Sequence, residues 1–257
     1  MITLTTDFGL KDPWVGTMKG VILSINPEAR VVDLTHLVSA HNIVEAALLL
    51  AGSYRFFPRG TIHVAVVDPG VGGRRRPIVV ETEDYLFVGP DNGLFTMALR
   101  NERVKRIIHI TEKDYMLPAV SHTFHGRDIF APVAAHLSKG VSPEEVGSPA
   151  VDLQRVEVPL PVVKGDRIEG EVIHVDTFGN LITNIDEAAL EGADPRSLKV
   201  ELKGITIEGL SESYEEGRTG KAIAIVGSTG YLEIACYMKR AEKVLGVTLG
   251  QKVVVRR

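Results

Sequence analysis

The sequence predicts an α/β amino-terminal sheet domain followed by a second, smaller all-β barrel domain. In the first part of the chain, apolar runs typical of strands alternate with segments of helical periodicity. In the last part, helix signals are scarce and short alternating runs follow one another between turn residues. Between these parts, Pro159 and Pro161 disfavour both helix and central strand. We therefore place an α/β domain at 1–155, a linker at 156–166 and a β-barrel domain at 167–257.

The first domain opens with a strand over 2–6, where apolar and Thr residues alternate. Pro13 then marks the start of a helix, which ends at Asn26 and Pro27. The remaining elements predicted in this domain are strands at 31–34, 62–67, 78–80, 86–88 and 103–110, and helices at about 42–54, before Arg100 and at about 129–137. The strands predicted in the second domain are 168–175, 181–185, 198–202, 205–207, 222–226, 231–235 and 252–255.

Composition and charge narrow the class of protein. Hydrophobic residues make up 44% of the chain and charged residues 24%, as in ordinary soluble globular proteins. The net charge of -4 gives little support to a nucleic-acid surface. The one cysteine, Cys236, excludes an intrachain disulfide. Because we also find no leader and no apolar run of membrane-spanning length, we expect a soluble cytoplasmic protein.

The stretch from Thr61 to Arg76, TIHVAVVDPGVGGRRR, is the strongest local signal of a binding site. Its buried strand ends at Asp68, and the carboxyl ends of strands are where open α/β sheets keep ligands. A glycine-rich loop and three consecutive arginines follow, and the loop is too short to carry them far from Asp68. Asp7 ends the first strand in the same way. The alternative is that Asp68 caps the loop before Pro69 and that the arginines form a solvated tip.

Several common catalytic motifs are absent. The spacing of the glycines after Asp68 does not match the dinucleotide-binding fingerprint. We also find no P-loop, nucleophile elbow or H-E-x-x-H motif. Carboxylates at strand ends with a histidine loop nearby could instead bind a divalent metal, with Asp7, Asp68 and His125 as ligands. The residues alone therefore leave open a metal-dependent nucleotidase or phosphatase.

Six stretches carry a resemblance to a known family. They are TTDFG at 5–9, VVDPGVG at 66–72, GPDNG at 89–93, TFHGRD at 123–128, DTFGN at 176–180 and GSTGYLEIA at 227–235. In this order they resemble the S-adenosyl-L-methionine hydroxide adenosyltransferases, or SAM hydrolases, which are related to the fluorinases and chlorinases. The resemblance implies an α/β domain, a β-barrel domain, no metal or organic cofactor, and a homotrimer with sites at subunit interfaces.

The resemblance also implies roles for individual residues. It places the catalytic trio on Asp68, Arg75 and His125, with Arg75 chosen over Arg74 and Arg76 by its spacing from Asp68 in the family pattern. Asp7 matches the ribose-binding aspartate. The positions that match those around adenine and the methionine end are Asp176, Phe178, Asn180, Tyr214, Ser228 and Glu233.

The reaction implied is hydrolysis of S-adenosyl-L-methionine to adenosine and L-methionine, with an activated water attacking the ribose 5′ carbon. Water is the expected nucleophile because the halide pocket of the halogenases has no counterpart here. Thr229 stands where the halogenases carry an Arg that holds the substrate carboxylate. The alternatives are the metal-dependent nucleotidase and a non-catalytic binder of S-adenosylmethionine or adenosine.

Overall fold

The computed structural model describes all residues from 1 to 257, and the chain divides into two compact units, Met1–Glu157 and Val158–Arg257. The predicted fold class is confirmed, because the first unit is mixed α/β and the second is a nearly closed antiparallel sheet resembling a barrel. The predicted limits of the domains and of the linker stay a prediction, and we propose that each unit is a domain.

The first unit is built on a seven-stranded sheet. Its strands are β1 (Ile2–Thr6), β2 (Val31–Thr35), β3 (Ile62–Val66), β4 (Pro77–Thr82), β5 (Leu86–Pro90), β6 (Val104–Ile110) and β7 (Gly147–Ala150). They lie in the order β2-β1-β3-β5-β4-β6-β7. The first four of these are parallel, whereas β4, β6 and β7 are added antiparallel. The carboxyl ends of β1 and β3 therefore lie side by side.

Helices cover both faces of this sheet. They are α1 (Trp14–Ile25), α2 (Ile43–Ala51) and α3 (Ala131–Ser138), and a π-helix, Gly126–Phe130, runs directly into α3. Along β3, Val64 contributes to the core cluster that contains Met18 of α1, and Ala65 contributes to the cluster that contains Leu50 of α2. Every residue of β3 is buried. The continuous apolar run in the sequence reflects this burial on two sides.

The second unit is all antiparallel. Its strands are β8 (Val162–Lys164), β9 (Arg167–Val175), β10 (Leu181–Asp186), β11 (Lys199–Leu202), β12 (Ile205–Glu208), β13 (Ala222–Val226), β14 (Tyr231–Cys236) and β15 (Lys252–Arg256). They lie in the order β12-β11-β15-β9-β10-β14-β13, with β8 beside β9. Two short helices, α4 (Glu187–Leu190) and α5 (Ala241–Leu245), connect strands. Alternate residues such as Ile168, Val200 and Leu232 fill the interior.

The elements that differ from the sequence-based predictions are short. The helix predicted before Arg100 is a 3-10 turn, Ala98–Asn101, and the helix predicted at 42–54 ends at Ala51 and is followed by a 3-10 turn, Tyr54–Phe56. β8 occupies part of the segment predicted as an extended linker. β7 was not predicted, because Gly-Ser-Pro-Ala has the composition of a turn and becomes a strand only by pairing with β6. A Cβ at Gly147 would lie 1.9 Å from the carbonyl oxygen of His109, so this pairing requires glycine.

No helix combines the length and the apolar character needed to cross a lipid bilayer.

The stability of the fold depends on pH through His63. It is fully buried on β3, its Nδ1 lies 2.8 Å from Thr3 Oγ1, and aromatic rings, including Tyr85 and Phe87, pack around it. Burial lowers the pKa of His63 from 6.5 to about 4. Between these two pH values the unfolded chain binds the proton and the folded chain does not, so acid favours unfolding.

We expect the free energy of unfolding to fall by up to about 3 kcal/mol as the pH drops from neutral towards 4, through His63 alone. Urea titrations at a series of pH values measure this. The control is His63→Asn, which does not titrate and should flatten that part of the profile. An identical pH profile in this variant would contradict the prediction.

Candidate active site

Asp7 and Asp68 lie at the carboxyl edge of the first unit's sheet. Thr6 pairs with Val66 in the register of β1 and β3, so Asp7 is one residue beyond this pair and Asp68 two residues beyond it. Both aspartates line a cavity of about 290 Å³, together with His125. The fold thus brings together two carboxylates that are about sixty positions apart in the chain.

Asp68, Arg75 and His125 form one hydrogen-bonded cluster. Arg75 Nε donates to both oxygens of Asp68 at 3.0 and 2.9 Å, and Arg75 Nη2 donates to Asp68 Oδ2 at 2.5 Å. The same Nη2 lies 2.7 Å from His125 Nδ1. The side chains of Arg75 and Asp68 are only 9% and 5% exposed. The guanidinium therefore joins the carboxylate and the imidazole in a place that water barely reaches.

The structure distinguishes the three consecutive arginines. Arg76 binds the buried carboxylate of Asp91 at 2.5 Å and Asp152 at 2.8 Å, and so ties the end of the first unit to its sheet. Arg74 is exposed. Of the three, only Arg75 binds Asp68. Arg75 is thus the arginine that lies at Asp68, and its predicted catalytic role stays a prediction.

Gly72 brings the loop after Asp68 against the loop before His125. It has φ of 74°, and a Cβ there would lie 2.1 Å from the carbonyl oxygen of His122. Any other residue would be strained and would also push the two loops apart. The glycines after Asp68 therefore serve the contact between Arg75 and His125.

His125 directly precedes the π-helix, and Asp128 within that helix anchors its loop. Asp128 is fully buried, accepts the Ser121 N–H at 2.8 Å and accepts from Arg127 Nε at 2.5 Å. Its own carbonyl accepts the Leu117 N–H at 2.9 Å. These bonds fix the segment leading to His125 at both ends. The Asp128 carboxylate of the TFHGRD stretch thus holds in place the loop that carries His125.

His125 is neutral and carries its proton on Nε2. Burial lowers the pKa of His125 and the nearby Arg75 charge lowers it further, while the Asp68 charge partly opposes this shift. Since a guanidinium has donors only, Nδ1 must accept from Arg75, and the remaining nitrogen holds the hydrogen. The imidazole thus offers the cavity an N–H donor and has no free acceptor.

Asp7 has one oxygen occupied and one available. Its Oδ2 accepts the backbone N–H of His41 at 2.9 Å, and His41 holds a positive φ of 65°. The side chain of Asp7 is 9% exposed and lines the cavity. Its Oδ1 remains free to accept a hydrogen bond from a ligand.

An aromatic wall beside Asp7 was not predicted as part of the site. Phe124 packs edge-on against Phe8 and Trp14, with ring centroids 5.6 and 5.5 Å apart, and all three line the cavity. Trp14 is 45% exposed. The sequence placed it only as the first residue of a helix, and no local signal indicated that its ring faces the loop of His125.

In the second unit, Asp176 and Asn180 close the turn between β9 and β10. Asp176 accepts the backbone N–H of Asn180 at 2.8 Å and its side-chain Nδ2 at 2.9 Å. Asn180 is buried, and its Oδ1 and second amide hydrogen remain available. Gly179 allows this turn, because it has φ of 86° and packs against Arg240, where a Cβ would clash.

Tyr214 and Glu233 form the second pair in this unit. The Tyr214 hydroxyl donates to Glu233 Oε2 at 2.9 Å. Glu233 is 6% exposed, and Gly227 makes room for it, because a Cβ at Gly227 would lie 1.7 Å from Glu233 Oε1. Burial raises the pKa of Glu233, and the Asp176 charge raises it further, although the Tyr214 hydrogen bond lowers it. The same pairing and burial raise the pKa of Tyr214 to about 12.

The remaining residues predicted for this half lie apart from these hydrogen bonds. Phe178 is 76% exposed at the tip of the β9–β10 turn, and Ser228 is exposed in the turn between β13 and β14. Next to Ser228, Thr229 buries a hydroxyl oxygen that has no partner. The second unit thus presents a polar cluster flanked by two exposed turns.

The geometry does not suit the metal-binding alternative. Nowhere in the chain are three His, Cys, Asp or Glu side chains grouped so that they could hold a metal ion. Of the three ligands proposed, Asp68 has both oxygens bound by a guanidinium and His125 has its acceptor nitrogen bound by the same group. A divalent cation would have to displace Arg75 from both.

Two family models match the chain. The SAM hydroxide adenosyltransferase N-terminal domain matches residues 2–147, and the C-terminal domain of the same name matches residues 170–254. The chain belongs to this family. The predicted resemblance is thereby confirmed.

Individual proteins are similar to this chain over most or all of their length. A protein from Salinispora tropica named (R)-S-adenosyl-L-methionine hydrolase is 40% identical, over 98% of this chain and 96% of its own. One of the same name from Methanocaldococcus jannaschii is 39% identical, over 96% and 92%. The crystal structure of an uncharacterized conserved protein from Thermotoga maritima superposes with a TM-score of 0.94 at 38% identity and covers all of both chains.

The arrangement predicts a distinctive titration of His125. With Arg75 in place, ¹⁵N-resolved NMR should show Nδ1 unprotonated, Nε2 protonated, and a pKa below that of an exposed histidine. Arg75→Met should raise the pKa of His125, because it removes a positive charge and leaves Asp68 unneutralised. Arg74→Met, an exposed neighbour, is the matched control and should change nothing. A protonated Nδ1 in the unmodified protein would contradict this assignment.

Proposed function

We propose that this protein hydrolyses S-adenosyl-L-methionine to adenosine and L-methionine. The observation that carries the proposal is the buried cluster of Asp68, Arg75 and His125 at a cavity, in a chain of the SAM hydroxide adenosyltransferase family. The names of the two relatives above support the substrate and specify the R configuration. We therefore propose the R epimer at sulfur as the preferred substrate.

In this reaction the nucleophile needs more assistance from the protein than the leaving group does. The water oxygen forms a bond to the 5′ carbon, and the carbon–sulfur bond breaks with its electron pair going to sulfur. Because a sulfonium leaves as a neutral thioether, no general acid is needed. Water must lose one proton, so the site has to hold it, orient it and accept that proton. Neither a metal nor an organic cofactor is required by this step.

Asp68 is the proton acceptor that the hydrogen bonds allow. Arg75 has only donors, and the lone pair of His125 Nδ1 is directed at Arg75. A carboxylate has about four acceptor positions, of which Arg75 fills some and leaves others for a water. In this mechanism Arg75 and the Nε2–H of His125 stabilise the negative charge that develops on the attacking oxygen. In this proposal Asp68 takes the proton, and Arg75 and His125 share the stabilisation of charge.

Asp7 positions the sugar. Its free Oδ1 accepts hydrogen bonds from the ribose diol, while the His41 N–H fixes the other oxygen. Holding the ribose this way aligns the 5′ carbon with the water near Asp68, and such alignment contributes several kcal/mol to a typical catalysed step. The aromatic rings of Phe8, Trp14 and Phe124 supply apolar surface along the same cavity.

The second unit supplies the contacts to adenine and to the amino-acid end. Tyr214 offers its ring to adenine, with Phe178 beside it, and Asn180 offers one donor and one acceptor to the purine edge. Asp176 binds the ammonium group. Ser228 binds the carboxylate, next to the partnerless hydroxyl of Thr229. Glu233 acts through Tyr214, because its exposed fraction is only 6% and its Oε2 accepts the tyrosine hydroxyl.

We further propose a homotrimer, located in the cytoplasm, with each site completed by a neighbouring subunit. The exposed apolar side chains beside each half of the site support this assembly. Leu10 and Trp14 are 71% and 45% exposed in the first unit, and Phe178 is 76% exposed in the second. Covering such side chains with another subunit removes apolar surface from water, which is energetically favourable.

The test of the reaction is incubation with each sulfur epimer of S-adenosylmethionine in oxygen-18 water containing a chelator, followed by mass spectrometry. We expect labelled adenosine and methionine, formed faster from the R epimer, because the oxygen comes from solvent and no metal takes part. Asp68→Asn should lower kcat by at least about a hundredfold, since an amide cannot take the proton.

Arg74→Met is the control for this assay and should retain full turnover. Unlabelled adenosine, or nucleotide hydrolysis that appears only when a divalent metal is restored, would refute the reaction and support the nucleotidase. Binding of the substrate without any turnover would support the non-catalytic binder.

Mixing inactive variants tests the assembly. If a site joins the first unit of one subunit to the second unit of another, refolding Asp68→Asn together with Asn180→Ala should regenerate about a quarter of the sites by random exchange. Activity assays of the mixture measure the gain over each variant alone. A mixture of Asp68→Asn with Arg75→Met alters the same half of the site twice, so it should stay inactive. No gain in the first mixture would contradict sites shared between subunits.

A further inference from the structure

We infer that His36 is a positioning residue for Asp7. It belongs to a chain of polar side chains that runs from Thr6 to the protein surface. This inference rests on the proposed function, because it assigns Asp7 to the ribose. His36 is 3% exposed and lies beyond the end of β2, beside the segment that carries Asp7. It touches neither the cavity nor the Asp68 cluster.

The contacts of His36 form one continuous chain. Its Nδ1 lies 2.9 Å from Thr6 Oγ1, and its Nε2 lies 3.0 Å from Asp33 Oδ1, in an ion-pair contact rather than a well-aligned hydrogen bond. Asp33 in turn accepts from Lys19 Nζ at 2.6 Å. Lys19 and Asp33 are 34% and 37% exposed, whereas Thr6 is fully buried. The chain therefore runs from solvent to the residue directly before Asp7.

The contacts fit one assignment of donors and acceptors. Because the Asp33 carboxylate accepts only, a hydrogen on Nε2 of His36 faces it, and Nδ1 then lies in position to accept from the Thr6 hydroxyl. The Thr6 oxygen then has a lone pair for the Phe8 N–H, which lies 3.2 Å away. The two residues that flank Asp7 are thus bound in one ordered sequence that starts at Asp33. Loss of the contact between His36 and Thr6 removes a buried partner from the Thr6 hydroxyl.

The backbone reinforces the same segment. The carbonyl oxygen of His36 accepts the Gly9 N–H at 2.7 Å, and Thr6 accepts the Val38 N–H at 3.4 Å. The register of β1 and β2 shifts just before this point, because Leu4 pairs with Asp33 but Thr5 pairs with Thr35. The extra residue on β2 moves His36 opposite Thr6. Irregularities of this kind re-aim side chains next to active sites.

The binding consequence follows from the geometry of Asp7. A carboxylate contributes to ribose binding only if its free oxygen is held in place, and the residues on either side of it set its direction. Loss of the His36 contact should therefore weaken the ribose contact in particular. It should leave the contacts to adenine in the second unit unchanged.

The experiment compares the affinities of adenosine and 2′,3′-dideoxyadenosine by calorimetry, since the second nucleoside lacks the hydroxyls that Asp7 binds. The unmodified protein should prefer adenosine. In His36→Ala, adenosine should bind about tenfold more weakly while the dideoxy nucleoside is unchanged, the size expected for one lost buried hydrogen bond. His36→Asn, which places a polar atom near the Nδ1 position, should restore part of the preference. KM for S-adenosylmethionine should rise in parallel.

His63→Ala is the matched control. It removes a similar contact to the same strand, Thr3 Oγ1 to His63 Nδ1 at 2.8 Å, but at the end away from Asp7. It should lower the melting temperature and leave the nucleoside preference unchanged. If His36→Ala does not fold, Asp33→Asn tests the same chain from its exposed end, and we expect a smaller loss of preference of about threefold.

Equal weakening of both nucleosides, or no weakening of either, would overturn the inference and leave His36 as a residue of the fold alone. An unmodified protein that consumes S-adenosylmethionine but binds both nucleosides equally would also overturn it, without touching the proposed reaction. An unmodified protein that consumes no S-adenosylmethionine would instead refute the proposed function.

Discussion

The buried pair of Asp68 and Arg75 is the interaction on which the rest of the first unit's site depends. A carboxylate taken out of water is costly unless a cation and further hydrogen bonds compensate for it. Arg75 provides both by binding two oxygens with a fixed guanidinium geometry. The glycine loop, the contact of Gly72 with His122 and the π-helix after His125 all serve to place that guanidinium. Each of these features contributes to the same contact between Asp68, Arg75 and His125.

The position of the pair follows from the sheet. β1 and β3 are parallel neighbours, so their carboxyl ends deliver Asp7 and Asp68 to the same edge. Of the three consecutive arginines, Arg75 binds Asp68 and Arg76 binds Asp91, whereas Arg74 is exposed. Three identical residues in a row acquire three different environments.

Much of this fold and part of the site could be predicted from the sequence, for physical reasons. Buried parallel strands leave long apolar runs, and the strand that ends at Asp68 is one of them. Contacts between distant segments leave no local pattern. The strand Gly147–Ala150 has the composition of a turn, and Trp14 reads only as the start of a helix. His36 is in the same class, since its importance arises from a register shift that no periodicity reveals.

The charge of the site suits the cationic sulfonium of the substrate better than the neutral thioether of the product. Arg75 neutralises Asp68, and His125 is uncharged, so the reacting cluster carries no net charge of its own. The carboxylates of Asp7 in the first unit and Asp176 in the second each supply a negative field at a residue that we propose binds the substrate. A sulfonium is favoured in that field, and hydrolysis removes its charge as the carbon–sulfur bond breaks. In the proposed reaction the attraction at sulfur is therefore lost in the same step, the proton released by water moves to Asp68, and the ammonium group of methionine is the one cationic group left on the products.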